Sequence, residues 1–360
     1  MVTAAPGAMP LQQAVSPQGS IVVHDRPSRA CDDYVSVHRG ASAYHSPAWL
    51  DVIHRAFGHD TTYLVAESAG AICGVLPLVF FKSRLFGRFT VSVPFVNYGG
   101  VIADNEETAR ALLDRAIDET RRRGGTYLEL RHCDQQMFRE LAPKRHKVAM
   151  ELSLASTSEE QWQALDRKLR NQVRKAEKSG LVVEEGGLEL LSAFYDVFAR
   201  NMRDLGTPVY GVSFFREVLS AFPDRSRVVC VRHEGRPVAA SIVHWRGSRI
   251  EVPWASALRE FNPLCPNVLL YWTMIQLAVG RRCTTFDFGR STPNEGTFQF
   301  KKQWGAMPRQ LVWEYWTAPG QAAPNLSPAN PKFDLAVRAW QRLPVPVATA
   351  LGPHIVRNIP

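Results

Sequence analysis

Two stretches of the chain carry the same alternation of apolar and polar positions. Residues 63–70 form an apolar run ending in Gly70, and residues 71–80 form a second apolar run. Residues 228–235 and 236–245 repeat the plan, with Gly235 at the turn. Two strand-like runs joined by a short Gly-bearing loop predict a β-hairpin at each place. A helix-like segment with aromatic anchors precedes each hairpin: residues 49–57, opened by Ser46 and Pro47, and residues 214–222, opened by Ser213. A helix and then a strand with one acidic residue follow each. These are residues 109–123 and 126–130, with Glu129, and residues 267–280 and 284–288, with Asp287. The order helix, hairpin, strand, helix, strand therefore recurs. It predicts an α/β protein built from one unit written twice, each unit a mixed, mostly antiparallel sheet flanked by helices.

The chain divides accordingly. Residues 1–22 are polar and Pro-containing and are expected to be disordered. Residues 23–155 make the first domain, closed by a strand over 147–154, and residues 156–317 make the second. A Pro- and Asn-rich run over 318–331 leads into a helix over 333–342. The closing segment, 318–360, is expected to pack back on the first domain, with contact to the inner membrane surface as its alternative.

Two segments carry candidate chemistry. The helix over 165–178 has an apolar stripe of Leu165, Leu169, Val173 and Ala176. Its other side carries Arg170, Asn171, Arg174 and Lys178, and six basic against two acidic residues lie between Asp166 and Lys178. That face is either a solvated surface or an anion-binding one. In the second segment a strand ends at Phe288, Gly289 permits a sharp turn, and a short helix follows over 297–304. Arg290 leaves the strand end, where α/β folds often place ligands, and Lys301 and Lys302 sit on the helix. Two cations there suit a phosphate or a developing oxyanion; the structural alternative is an ion pair of Asp287 with Arg290 or a lysine. Asn97 and Tyr98, in a Gly-ended loop, and Tyr210, between two helices, are further candidates for a polar cleft.

Composition narrows the classes. The chain has 360 residues, 45% of them apolar, with a net charge of +9 that favours anionic partners. The six cysteines include no C-x-x-C pair, and the histidines show no metal-ligand spacing, so no metal site is expected. No Walker, G-x-S-x-G or H-E-x-x-H motif occurs. His132, Cys133 and Asp134 are adjacent on an extended run and so point to opposite faces, which argues against a catalytic cluster. The absence of a signal-peptide pattern and of a long apolar run predicts a cytoplasmic protein.

Several motifs taken in order resemble the FemAB-type aminoacyl and peptidyl transferases of the GNAT superfamily. The resemblance is nearest to the FemAB-like proteins of the PEP-CTERM/exosortase system and exopolysaccharide loci. The motifs are Val93-Pro-Phe-Val-Asn-Tyr-Gly-Gly100, Lys168-Leu-Arg-Asn-Gln-Val-Arg-Lys-Ala-Glu-Lys-Ser-Gly180, Thr207-Pro-Val-Tyr210, Asp287-Phe-Gly-Arg290, Phe300-Lys-Lys-Gln-Trp-Gly305, Trp340-Gln-Arg-Leu-Pro344 and Leu351-Gly-Pro353. The resemblance implies two GNAT-like domains. It implies transfer of an acyl or aminoacyl group to a primary amine of a cell-envelope, peptidoglycan or exopolysaccharide precursor. Lys301 matches a site lysine of such enzymes. Where relatives that use acetyl-CoA carry a Gly-rich pyrophosphate loop, this chain reads Asn262-Pro-Leu-Cys-Pro-Asn267. That departure disfavours acetyl-CoA, and the expected donor is an aminoacyl-tRNA or another activated acyl compound, with no bound cofactor.

The expected mechanism is direct attack of the amine on the donor carbonyl. Lys301 would stabilise the oxyanion or hold a phosphate, Arg290 would hold an anionic group, and Asp287 would orient Arg290 or act as a base through water. Arg174, Asn171, Lys178, Tyr210, Lys302, Asn97 and Tyr98 would contact substrate. The protein is expected to act as a monomer, without DNA. The rival reading is a non-catalytic ligand- or RNA-binding protein on the same duplicated scaffold.

Overall fold

The structure, a computed structural model, describes residues 20–83, 86–321 and 334–360. The first half runs β1 (Val22–His24), α1 (Arg29–Val37), α2 (Ala48–Phe57), β2 (Asp60–Ser68), β3 (Ala71–Ser83), β4 (Gly87–Val91), β5 (Ile102–Ala103), α3 (Glu106–Arg122), β6 (Tyr127–Cys133), β7 (Ala142–Lys144) and β8 (Val148–Ser153). The second runs α4 (Ser158–Ala164), α5 (Arg167–Glu177), β9 (Leu181–Gly186), α6 (Leu191–Asp204), α7 (Val212–Ala221), β10 (Ser226–His233), β11 (Arg236–Arg246), β12 (Arg249–Ala257), α8 (Pro266–Gly280), β13 (Thr285–Ser291), α9 (Gly296–Lys302) and β14 (Met307–Thr317). Two helices close the chain, α10 (Asp334–Gln341) and α11 (Val345–Val356). Most of the segments expected as disordered (1–22) and as a Pro-rich linker (318–331) lie outside the described residues.

Both hairpins form, and the duplication extends to their turns. Ala69 and Gly70 have φ of 51° and 78°, and Glu234 and Gly235 have 49° and 78°. Two central residues with positive φ match the twist of the flanking strands, as in a type I′ turn. In each half the strand after the hairpin pairs in parallel with the strand after the long helix: β4 with β6, and β12 with β13.

The halves are not separate sheets. Among the described residues the strands join into one sheet of order β1-β2-β3-β4-β6-β14-β8-β13-β12-β11-β10-β9. The division expected near residues 155–156 falls in the connection between β8 and α4, yet strands are traded across it. β8 pairs with β13 of the second half. β14 pairs with β6 and β7 through residues 311–317 and with β8 through residues 307–310.

Side chains alternate across this sheet and set two layers. Ile250, Val252, Phe286 and Phe288 face a core with Leu169 and Val173 of α5 and the apolar face of α8. Asp287 and Glu251 point to the other side, toward a core shared by α1 and α2 of the first half and α6 and α7 of the second. There Trp49 packs 5.1 Å from Phe222 and 5.4 Å from His244, so an aromatic layer crosses the two halves. The C-terminal helices pack chiefly on α6, in the second half, and reach the first through Arg357, which donates to the Phe57 carbonyl (2.7 Å) and accepts at its own carbonyl from His59 Nε2 (2.8 Å). This differs from the expected packing on the first domain. Gly206 and Gly352 allow it: a Cβ on Gly206 would meet Val337 at 2.5 Å, and one on Gly352 the Val209 backbone at 2.8 Å.

Candidate active site at the junction of the two halves

β12 and β13 stay in parallel register only from Arg249 and Thr285 to Glu251 and Asp287. Residues 92–99, between β4 and β5, cross from the first half to this point. Tyr98 donates its hydroxyl to Asp287 Oδ2 (2.6 Å), and Asn97 Nδ2 donates to Glu251 Oε1 (3.1 Å). Both are buried, so they act first as a tie between halves. Asp287 is fully buried and also accepts from Arg249 Nη2 (2.7 Å) and from the Gly289 N–H (2.8 Å). Its cation is therefore Arg249, not Arg290 as expected. Arg249 in turn donates to Glu151 Oε1 (2.5 Å), which Arg309 reaches at 3.1 Å, and Arg309 pairs with Asp134 at 2.6 Å. Burial, and next the charge of Asp287, raise the pKa of Glu251, so beside Asp287 it favours its neutral form.

Gly289 makes a bulge inside β13 possible: the strand does not end at Phe288 as expected but shifts register against β8 between Asp287 and Arg290 and runs on to Ser291. The φ of Gly289 is +74°, and a Cβ there would lie 3.0 Å from the Val252 carbonyl oxygen. Gly289→Ala is expected to cost about 1–3 kcal/mol through backbone strain. A thermal melt measures it, and an unchanged midpoint would refute it.

The bulge at Gly289 frees two carbonyl oxygens from the ladder, which Lys301 caps from α9. Its Nζ donates to Gly289 O (3.0 Å) and Arg290 O (2.9 Å). An ammonium has three donors, so one remains for a ligand. Lys301 is buried, and burial, opposed by the nearby Asp287 charge, lowers its pKa to about 8. Lys302, one step further along α9, is exposed.

Arg290 points into a basic basin on the seam. The residue is exposed, yet protein atoms crowd its guanidinium. That crowding first, and then the charge of Arg131, lowers its pKa. It lies 5.6 Å over the Trp313 ring, and Arg131 lies over the same ring at 4.2 Å. Lys144 sits 4.3 Å over Tyr315. The pKa values of His146 and Lys147 are lowered by burial and then by neighbouring cations, Arg290 among them. Tyr210 also faces this region, its pKa raised by burial and held back by Arg290 and Arg131. Among the described residues, the buried Arg131 Nη2, Trp313 Nε1 and Tyr127 Oη have no hydrogen-bond partner. Arg131 pairs with the buried Glu129 (2.7 Å), which also accepts from the Tyr315 hydroxyl (2.6 Å); Arg290 and Lys147, close enough for Arg290 to lower the Lys147 pKa, are the cations that favour an anion here.

The remaining candidates lie elsewhere. Arg174, Asn171 and Lys178 are exposed on α5, on the opposite face of the sheet from Asp287. Arg174 stacks 5.4 Å over Trp162 and is not brought to Lys301. His132 is a structural latch. Its Nδ1–H donates to the buried Glu314 (2.5 Å), and its Nε2 accepts from the Val101 N–H (2.9 Å). Among the described residues no group of His, Cys, Asp and Glu is arranged to hold a metal ion. The start of α8 offers little to a pyrophosphate. Pro266, its first residue, has no N–H to offer, where an anion-binding helix start presents free N–H groups.

Residues 163–302 match the family model described as an acetyltransferase (GNAT) domain. A solved structure titled FemX is 15% identical and covers 82% of this chain and 97% of its own, with a TM-score of 0.63. A tandem GNAT protein from the clavulanic acid biosynthesis pathway is 12% identical and covers 84% of this chain and 100% of its own, with a TM-score of 0.51. The fold is a tandem GNAT fold. An L-PGS of Bacillus licheniformis shares it at 11% identity and a TM-score of 0.53, covering 89% of this chain and 98% of its own. No curated protein matches the sequence at a significant level. The GNAT match covers Asp287, Arg290 and Lys301 and includes neither β8 nor β14. Arg131, Trp313, Lys144 and Lys147 therefore come to the surroundings of Arg290 from outside the matched segment.

Proposed function

We propose that the protein is an N-acyltransferase that moves an acyl or aminoacyl group to a primary amine of an anionic cell-envelope or exopolysaccharide precursor. The observation that carries this reading is the basin beside Arg290 and Lys301, rich in cations, at the splayed strands of a GNAT fold. The solved FemX and L-PGS structures share that fold, and the motif resemblance to FemAB-type transferases implies an aminoacyl-tRNA donor. The obstructed start of α8 argues against acetyl-CoA.

The acceptor's phosphate or carboxylate rests on Arg290 and Lys147. Its amine attacks the donor's ester carbonyl. The new C–N bond forms as the C–O bond breaks, and the proton lost by the amine passes to the departing hydroxyl. Lys301 supplies positive charge where the oxyanion develops. Asp287, shut from solvent and already accepting three hydrogen bonds, is a positioning residue here rather than the base first expected. The exposed cations of α5 suit the backbone of a tRNA that reaches the site from the other face.

The test uses labelled aminoacyl-tRNA, labelled acetyl-CoA and a nucleotide-linked muropeptide. Label is expected to move from the tRNA to the muropeptide amine. In Arg290→Gln, KM for the muropeptide is expected to rise roughly tenfold or more through loss of a charge-assisted contact. Label that stays on the tRNA, or moves only from acetyl-CoA, would refute the donor assignment.

A further inference from the structure

Four of the exposed large hydrophobics of this protein gather at one place. Of ten large hydrophobic side chains exposed among the described residues, Leu335, Val347 and Leu351 lie on α10 and α11, and Leu205 lies on the connector beneath α10. Leu335, Arg338 and Arg342 follow one another at helical spacing on the outer side of α10 and its end, all exposed. Val347, Ala350, Leu351 and His354 do the same on α11. The inner sides are taken up: Gln341 Nε2 donates to Asp204 O (3.2 Å), Arg203 Nη1 donates to Leu343 O (2.8 Å), and Ala348, Gly352 and Val356 are buried. The pair of helices is thus fastened to the body on one side and open on the other. The open side combines aliphatic groups with arginines, and no Asp or Glu occurs from Leu335 to Pro360.

We propose that the outer face of α10 and α11 docks on an anionic lipid surface. Among the described residues no helix is long and apolar enough to cross a membrane. The chemistry instead suits a segment lying in the interface, with Leu335, Val347 and Leu351 entering the acyl boundary and Arg338 and Arg342 at the headgroups. Arg338 and Arg342, with no acidic residue after Asp334, select a negative surface over a neutral one. A second copy of this chain would meet the same cations, so self-association through this face is opposed.

The full chain is tested by flotation with vesicles of phosphatidylcholine alone and of equal parts phosphatidylcholine and phosphatidylglycerol. It should float with the mixed vesicles and remain at the bottom with the neutral ones, a partition ratio of roughly tenfold or more, and high salt should release it. Leu335→Glu/Val347→Glu/Leu351→Glu and, separately, Arg338→Gln/Arg342→Gln should each abolish flotation while the melting temperature is kept. Absence of flotation by the parent protein, equal flotation with both vesicles, or undiminished flotation of both variants would overturn the proposal. So would a concentration-dependent dimer that the triple variant dissolves. The test is independent of transfer, because turnover of a soluble acceptor should be the same in both variants.

Discussion

Lys301→Met is expected to abolish transfer while leaving the protein about as stable as before at neutral pH. Burial holds the lysine pKa near 8 against an ordinary value of 10.5, so keeping it charged costs the fold about 3 kcal/mol. The two hydrogen bonds to Gly289 O and Arg290 O return a similar amount, since each is to a charged donor. Methionine removes cost and gain together, and the net change in unfolding free energy is expected within about 1 kcal/mol. Turnover should fall by roughly 10²–10³-fold, as for loss of one oxyanion donor. The pH dependence fixes the sign. Above pH 8 the folded lysine is neutral while the unfolded one stays protonated to about 10.5, so the unfolded state binds more protons. The parent should therefore gain stability over the methionine variant as pH rises from 8 toward 10.5, while its activity declines over the same range. Denaturation midpoints and kcat/KM across pH measure both. A methionine variant with near-parental turnover would remove Lys301 from the mechanism.

Arg249→Met is expected to cause the largest loss of stability, about 3–5 kcal/mol, because it leaves a buried carboxylate without its cation. Its two partners differ. Glu151 is partly open and keeps Arg309 at 3.1 Å. Asp287 is fully buried and would keep only the Tyr98 hydroxyl and the Gly289 N–H. Adding Asp287→Asn should therefore restore a large part of the loss, whereas adding Glu151→Gln should not. Urea titrations of the single and double variants provide the cycle. Equal rescue by both second changes would place the cost elsewhere.

The local elements were legible because their signals are local. The hairpins, α5, α8 and the paired positions of Glu129 and Asp287 follow from periodicity and turn chemistry within short windows. The site was only partly legible. Arg290 and Lys301 sit where a strand end and the next helix bring them, a few turns apart in sequence. Arg249 was missed because its partners, Glu151 and Asp287, lie 98 and 38 residues away, and no spacing rule links them. Trp313 and Arg131 were missed for the same reason: they meet only through the pairing of β14 with β6. Asn97 and Tyr98 stood out as polar groups in a loop, but nothing local tells that the loop crosses to the other half.

The traded strands also constrain how this chain comes into being. When the first half has left the ribosome, β6 and β8 have no β14 between them and β8 has no β13, so the nascent protein carries open strand edges. Those edges stay uncovered while the whole second half is synthesised, and Tyr98 waits equally long for Asp287. A fragment cut near residue 155 should therefore aggregate rather than behave as a domain. Duplication of the unit has produced two halves that can no longer be inherited, expressed or rescued one at a time.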